Sequence, residues 1–417
     1  MTVLVAGAGI GGLTLALSLH QAGIPVRVFE AVRELKPLGV GINLQPHAVR
    51  ELTELGLLDR LDAIGLRTEE VAYFSTGGRP IWREPRGLDA GYNWPQFSIH
   101  RGHLQIMLLE AARERLGDGA IRSGVAVEAW RETAEGAEID LMDRETGASL
   151  GNEKGAVFIA ADGIHSKARA ALYPDEGPPV WGGIMMWRGT TRGPRFLGGR
   201  SMAMAGCKAR KFVCYPLADD GDDGSLINWI ADLALPPETL WNREDWNRPG
   251  RLEDFLPRFT DWTFDWLDVP WVIRNAERVF EYPMVDRDPL PRWTFGPMTL
   301  LGDAAHAMYP IGSNGASQAI LDARVLTREI LARGPGAEAL QAYEEERRPA
   351  TAKIVLANRG DGPDKVLDIV EQRAPQGFDK VEEVLSREEL KETAAAYKRL
   401  AGFDVESLNA RASIVAA

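Results

Sequence analysis

Three glycines spaced G-x-G-x-x-G, at Gly7, Gly9 and Gly12, can cradle a pyrophosphate, and an acid at Glu30 can hold a ribose. Gly7 permits a tight turn, Gly9 lets the backbone approach phosphate with no side chain between, and Gly12 lets a helix pack closely. Ile10, inside this turn, and Ala31, next to Glu30, belong to the same candidate cofactor set. A helix that starts directly after such a turn offers free N–H groups and partial positive charge to the phosphates. Glu30 can accept hydrogen bonds from a ribose diol, and its charge would repel a 2′-phosphate. The pattern therefore predicts FAD or NAD here, not NADP.

The elements needed to position these residues are readable around them. Val3, Leu4, Val5 and Ala6 form an apolar run of the kind that makes a buried parallel strand. Leu13, Leu15, Ala16, Leu17 and Leu19 follow in a helical pattern, and Pro25 to Phe29 is a second strand ending at Glu30. Next comes a loop, Lys36 to Leu44, leading into a strand. A helix carrying Ala48, Val49, Leu52, Leu55 and Leu57 follows it. Residues 66–98 read as an excursion of strands and loops, and His100 to Leu104 opens another helix, with Leu108 and Ala111 on its face. Strands are expected at 121–130, 137–142 and Ala156–Ala161, the last running into Asp162-Gly163. From 174 to 295 the character changes: nine of the twelve tryptophans lie there, among short β-like runs such as Met185–Thr190, Phe212–Tyr215 and Leu226–Ala231. Thr299 to Asp303 restores the nucleotide-domain pattern, with helices expected at Gly315–Ala332 and Ala337–Asn358. The expected division is a cofactor domain at 1–173, a β-sheet substrate domain with an aromatic surface at 174–295, the cofactor domain's second part at 296–358, and a helical tail at 359–417. A site is expected where the two domains meet.

Composition narrows the partners. A chain of 417 residues exceeds one ordinary core, so two intimately joined domains are the natural expectation. Formal net charge is −12 and the pI is near 5.2, which argues against nucleic acid and anionic membranes. Cys207 and Cys214 are the only cysteines, so there is no disulfide framework and no CxxC site, and a reducing cytoplasm is expected. The first 26 residues lack Asp, Glu, Lys and Arg, but no basic segment precedes the apolar run and glycines interrupt it. A buried strand and helix explain it better than a leader or membrane span. No histidine lies between 166 and 305, which removes a histidine base from the substrate domain, and no HExxH-type metal spacing occurs.

Three motifs converge on one family. They are Gly7–Gly12 with Glu30; Ala161-Asp162-Gly163-Ile164-His165-Ser166-Lys167-Ala168-Arg169; and Leu301-Gly302-Asp303-Ala304-Ala305-His306-Ala307-Met308-Tyr309-Pro310, continuing to Gly312, Asn314 and Gly315. In this order and spacing, over residues 1–358, they resemble the single-component FAD-dependent aromatic hydroxylases, the p-hydroxybenzoate and salicylate hydroxylase family. Lys36 to Asn43, Gly182 to Gly189, Tyr282 to Pro291 and Gly312 to Ile320 are similar to a branch acting on 5-methylphenazine-1-carboxylate. The resemblance implies an α/β fold: a Rossmann-type FAD-binding domain with an inserted, mainly antiparallel, sheet domain.

It also implies roles. The Gly302-Asp303 pair would bond the ribityl chain, and backbone N–H groups of Gly315 and Ala316 would face the flavin C2 carbonyl. There they would stabilise negative charge on the reduced ring. A turn aspartate capping a helix is the ordinary alternative for Asp303. Arg101 would reach the pyrophosphate and ribityl hydroxyls through its paired donors, against the alternative of a surface ion pair. Val125 would meet the adenine through its backbone. Gly41 would approach the flavin ring, or is simply a loop glycine. Asp162 stays open between a role near the pyridine nucleotide and a strand-end turn, and Arg169 between that and a surface salt bridge. His306 reads as structural, and the tryptophans as mostly core.

The activity implied is monooxygenation: NAD(P)H and O₂ consumed, with a flavin C4a-hydroperoxide delivering oxygen to an aromatic or heteroaromatic small molecule, a carboxylated one included. Such chemistry asks the protein to shield and orient rather than to supply an obligatory acid or base, so no catalytic residue is singled out. The expected partners are NADH or NADPH, O₂ and a small aromatic substrate, with no membrane or nucleic acid and a monomeric or homodimeric chain. A flavin halogenase would need W-x-W-x-I-P and a pocket lysine; Trp262 to Pro270 does not fit. A flavin dehydrogenase or oxidase, and a dinucleotide-binding sensor, are the remaining alternatives.

Overall fold

The computed structural model describes residues 2–415 apart from 38, 118, 222–223, 237–238, 240–247 and 361. Leu38 of the Lys36–Asn43 loop, and Trp241 and Trp246 of the tryptophan-rich region, lie outside the described residues. The βαβ unit forms as its residues predict, with strand Val3–Ala6, helix Ile10–Gln21 and strand Val26–Glu30. Val3–Ala6 and Val157–Ala160 are buried along their whole length, so both faces of the sheet are covered. Six strands run in the order Thr294–Phe295, Met298–Leu300, Val157–Ala160, Val3–Ala6, Val26–Glu30, Ile121–Ser123. All pair in parallel except the first two, and Val3 sits opposite both Val157 and Val26.

A second sheet has seven strands: Val279–Asp286, Val180–Gly193, Ser225–Ala234, Arg210–Asp219, Ser201–Cys207, Glu70–Phe74 and Pro80–Pro85. Its last two members come from the 66–98 excursion, and Ser201–Cys207 pairs in parallel with Glu70–Phe74. Successive side chains point to opposite faces. On one face Trp187, Trp229 and Phe212 pack with Phe255, Phe259 and Trp262. Trp187 stacks on Phe255 at 4.9 Å between ring centroids. The expected aromatic surface is therefore corrected, while the reading of the tryptophans as mostly core holds for Trp187, Trp229 and Trp262. These rings face away from the cofactor domain, while their neighbours Arg188, Asn228 and Tyr215 face toward it. Trp293 belongs elsewhere, packed in the cofactor-domain core against Tyr343 and His306.

A small sheet, Gly41–Leu44, Gln96–His100 and Gly65–Thr68, lies between the two domains. The tail contains helices Lys365–Arg373, Arg387–Leu400 and Val405–Ala410. The middle one starts with a capping box between Ser386 and Glu389. Val366, Leu367, Val370, Leu385 and Leu390 cover Val71, Tyr73, Met202 and Met204 on the opposite face of the large sheet from the aromatic core.

The tail is also tied down by His47, which is wholly buried and stacks on Phe403 at 5.0 Å. Burial, with Arg411 and Arg347 nearby, pushes its imidazole down to about 3. Its folded value lies below its unfolded one, so the unfolded chain takes up the proton first. This contribution is complete above pH 6.5 and is lost as pH falls, at about 1.4 kcal/mol per pH unit. Urea unfolding at pH 7, 6 and 5 should show this loss, and His47→Phe should remove about one proton's worth of slope. An unchanged slope in that variant would contradict the assignment.

Candidate active site

The glycine turn behaves as its spacing predicts, for three separate physical reasons. Gly7 has φ +99°, and an added Cβ would lie 2.4 Å from the Ala161 carbonyl oxygen. At Gly12 a Cβ would lie 2.1 Å from the Gly7 oxygen, so the helix can start only where no side chain intervenes. Gly9 has nothing within 4 Å of an added Cβ, which leaves its backbone open to a ligand. Ile10 begins the helix, half-buried. Glu30 closes its strand with both oxygens engaged: Ala8 N–H donates to Oε2 at 2.7 Å and Val32 N–H to Oε1 at 2.8 Å. A carboxylate has about four acceptor positions, so two remain for a diol. Ala31 follows, half-buried. Val125 is buried just past Ile121–Ser123, whose Ser123 pairs with Glu30.

Gly7, Glu30, Asp162 and Gly302-Asp303 all stand at carboxyl ends of neighbouring parallel strands, the place where such sheets bind ligands. Asp162 accepts Lys167 N–H at 2.9 Å, while its other oxygen is buried without a partner, and burial pushes its carboxyl up. Arg169 is corrected from a surface salt bridge to a buried clamp, 1% exposed. It donates to the carbonyls of Ala304 and Ala305 at 3.1 and 3.0 Å and to that of Asp288, and pairs with Glu176. It thereby holds the short helix Asp303–His306 from behind.

Gly302 has φ +63° and ψ −138°, a conformation that requires glycine, and Asp303 next to it is exposed. Behind them Asp322, fully buried, accepts from Gly302 N–H at 3.2 Å, His306 Nε2 at 2.5 Å and Arg347 Nε at 2.7 Å. Helix Gly315–Arg333 begins at half-buried Gly315 and Ala316, with no side chain capping it. An added Cβ at Gly315 would meet nothing closer than Met308, at 4.0 Å. The open approach at Gly9, the exposed Asp303 and these uncapped amides fit FAD.

The remaining candidates sit where the sheets meet. Arg101 starts helix Arg101–Leu116, is exposed, and lies near enough to Tyr282 to oppose the upward push that burial gives its phenol. Gln105 on the same helix donates to the Ala8 carbonyl at 2.9 Å, which sets that helix beside the glycine turn. Gly41 is more than a loop glycine. Its N–H donates to Asn228 Oδ1 at 2.6 Å, Arg188 donates to its carbonyl at 2.8 Å, and a Cβ would collide with Tyr215, Asn228 and Leu217. Tyr215 is pushed up to about 12 by burial, although Arg188 beside it pulls the other way.

Sequence reasoning missed Asp322, Asn228 and Tyr215. Asp322 left a trace: a carboxylate inside Ala319-Ile320-Leu321-Asp322-Ala323 must be buried and partnered. Asn228 and Tyr215 left none, because Gly41, which both of them meet, is more than 170 residues away.

A dinucleotide turn, a second flavin-side motif and a sheet domain across the cleft define a flavoprotein of the two-domain monooxygenase class. The chain belongs to the FAD-binding-domain family, whose pattern matches residues 1–180 and 284–358. It is 47% identical to a phenazine 1,6-dicarboxylic acid hydroxylase of Lysobacter antibioticus, over 86% of this chain and 89% of that protein. A 3-amino-4-hydroxybenzoate 2-monooxygenase of Streptomyces platensis is 34% identical over 86% and 87%. Among solved structures, a salicylate hydroxylase substrate complex shares the fold with TM-score 0.74 and 22% identity, covering 98% of this chain and 97% of that one. Klebsiella pneumoniae HpxO with FAD and uric acid does so with TM-score 0.74 and 24% identity, over 98% and 96%. The protein is an FAD-dependent aromatic hydroxylase that uses NAD(P)H and O₂. Among the described residues, no helix is long and apolar enough to cross a membrane.

Proposed function

We propose that the protein hydroxylates a planar aromatic or heteroaromatic acid, at or beside the ring carbon bearing the carboxylate, and that Arg188 holds that carboxylate. The observation that carries this is the Arg188 guanidinium. It bridges to Gly41 where the two domains meet, and its Nε is buried without a partner. A planar acid offers two oxygens to such a fork. The 47% identity to a phenazine dicarboxylic acid hydroxylase supports an acid of fused-ring size.

On this reading FAD lies extended along the carboxyl ends of the parallel strands. Val125 and Glu30 with Ala31 take its adenosine end. Gly7, Gly9, Ile10, Gly12 and Arg101 take the pyrophosphate. Asp303 takes the ribityl chain, and Gly41, Gly315 and Ala316 surround the ring. Bound FAD supplies the redox chemistry, taking electrons from NAD(P)H and passing oxygen to the substrate. The chain's own residues then have three tasks. Arg188 orients the ring, the N–H groups of Gly315 and Ala316 stabilise negative charge beside it, and the domain interface excludes water.

Arg188→Met should raise the KM for the acid by about 100-fold, the loss of a paired charge-assisted contact, while FAD content stays at one per chain. Steady-state kinetics with phenazine, quinoline and hydroxybenzoate carboxylates, scored by ¹⁸O₂ incorporation, provides the check. An unchanged KM for whichever acid is turned over would remove Arg188 from this role. Turnover of non-aromatic compounds alone would remove the acid itself.

A further inference from the structure

Asparagine is among the residues that best cap a helix, and Asn314 stands directly before helix Gly315–Arg333, yet it does not cap it. The buried side chain is engaged elsewhere. Asn314 Nδ2 donates to the hydroxyl oxygen of Tyr397 at 2.9 Å and to the Gly312 carbonyl at 3.2 Å. Its backbone, at φ −102° and ψ −21°, lacks the extended geometry of a capping residue. The N–H groups at the helix start are therefore left without a side-chain partner.

Tyr397 lies far along the chain, in helix Arg387–Leu400 of the tail and beyond the matched family pattern. It is 4% exposed, and its hydroxyl accepts from Asn314 while donating to Asn358 Oδ1 at 2.8 Å. The chain around it is pinned twice, by Lys398 pairing with Glu84 and by Phe403 stacking on His47. The loop it reaches is shaped to meet it. Gly312 and Ser313 have φ of +74° and +54°, and a Cβ at Gly312 would lie 2.1 Å from the Tyr397 hydroxyl oxygen. A left-handed serine is unfavourable and persists only where its surroundings hold it.

We propose that Tyr397 is a positioning residue for the reduced flavin, a role that rests on the flavin placement beside Gly315 and Ala316 given above. It keeps Asn314 turned away from its own helix, so that the Gly315 and Ala316 N–H groups stay free for the ring. A capping side chain accepts from the N–H of the second or third helical residue, and Ala316 is the second. Once released, Asn314 takes the Ala316 N–H for itself. The reduced ring then loses one donor to its negative charge. The Gly312 carbonyl does not depend on Asn314, because Gln45 Nε2 also donates to it, at 3.2 Å.

The test uses FAD-loaded full-length protein and reads the flavin itself. In the unmodified protein the reduced flavin should be anionic by its absorbance at about pH 6, where free reduced flavin is mostly neutral. A neutral spectrum overturns the flavin placement, and the role of Tyr397 with it. Tyr397→Phe keeps the ring packed with Met308, Val355 and Phe403 but removes the hydroxyl. Its two-electron midpoint potential at pH 7 should fall by about 30 mV, a tenfold loss that matches one charge-assisted hydrogen bond. Adding Asn314→Ala to Tyr397→Phe removes the competing side chain. The potential should then return to within about 10 mV of the unmodified protein. A purely structural tyrosine gives no such recovery, since a second truncation only adds damage. Asn314→Ser caps with a side chain too short to reach Tyr397, so it should lower the potential with Tyr397 intact. That variant decides the matter if Tyr397→Phe does not retain FAD. An unchanged potential in either single variant, or a double variant that stays low, overturns the role of Tyr397 and leaves the flavin placement standing.

Discussion

Asp322→Ala should destabilise the apoprotein by about 3–5 kcal/mol, the usual result of removing one partner from a buried charged network. The side chain is fully buried and accepts from three donors, and Arg347 is itself only 6% exposed. Alanine would leave that guanidinium buried and unpaired, and the Gly302 N–H unsatisfied. Burial pushes the Asp322 carboxyl up, but His306 and Arg347 more than offset this and hold it below the usual range. Its contribution is therefore present above the unfolded value near 4 and is lost as pH falls toward the lower folded value. Asp322→Asn keeps two acceptor contacts without the charge, so it should cost less and lose the acid dependence. Urea denaturation of FAD-free protein measures both effects. A cost below 1 kcal/mol for alanine would mean that the network does not hold the Gly302-Asp303 turn.

The same network shows what the sequence could and could not reveal. The glycine turn was legible because each of its constraints is local: a positive φ at Gly7, or a helix start at Gly12 touching a backbone five residues back. The helix Ala337–Asn358 was legible to the residue because its apolar period and its ends are local as well. Asp303 was found through its motif, but its support was not. Asp322 lies 19 residues on, Arg347 farther still, and Arg169 reaches across from the short helix Lys167–Leu172.

The aromatic region was legible as core but not by face. Counting tryptophans located a sheet domain correctly, but a count carries no face. Trp187 and Arg188 are neighbours in sequence, yet one packs in the far core and the other bonds Gly41. The tail was read as helical, whereas the surface it covers is assembled from strands more than 150 residues upstream. Periodicity reports which side of an element is apolar, and only tertiary structure reports what that side meets.

Gly9 and Gly12 allow folding and cofactor binding to be separated within one motif. Gly12→Ala should destabilise the apoprotein by about 3 kcal/mol or more, because its Cβ would sit 2.1 Å from a backbone oxygen that cannot move without breaking the turn. FAD should then be lost as a consequence of damage to the fold. Gly9→Val should behave in the opposite way. Its φ of −74° and ψ of −179° suit any residue, and nothing lies within 4 Å of the new Cβ. The apoprotein should unfold within about 0.5 kcal/mol of the unmodified chain, as substitutions into open space do. The valine would nevertheless stand where a pyrophosphate must approach the backbone. Losing two charge-assisted bonds of about 1.5 kcal/mol each weakens FAD by about 100-fold. The paired readout is urea stability of apoprotein and FAD affinity by flavin fluorescence quenching. If Gly9→Val binds FAD as tightly as the unmodified protein, the pyrophosphate does not cross this turn. If instead Gly12→Ala folds with full stability, the contact between the helix and the Gly7 carbonyl is not what the third glycine is for.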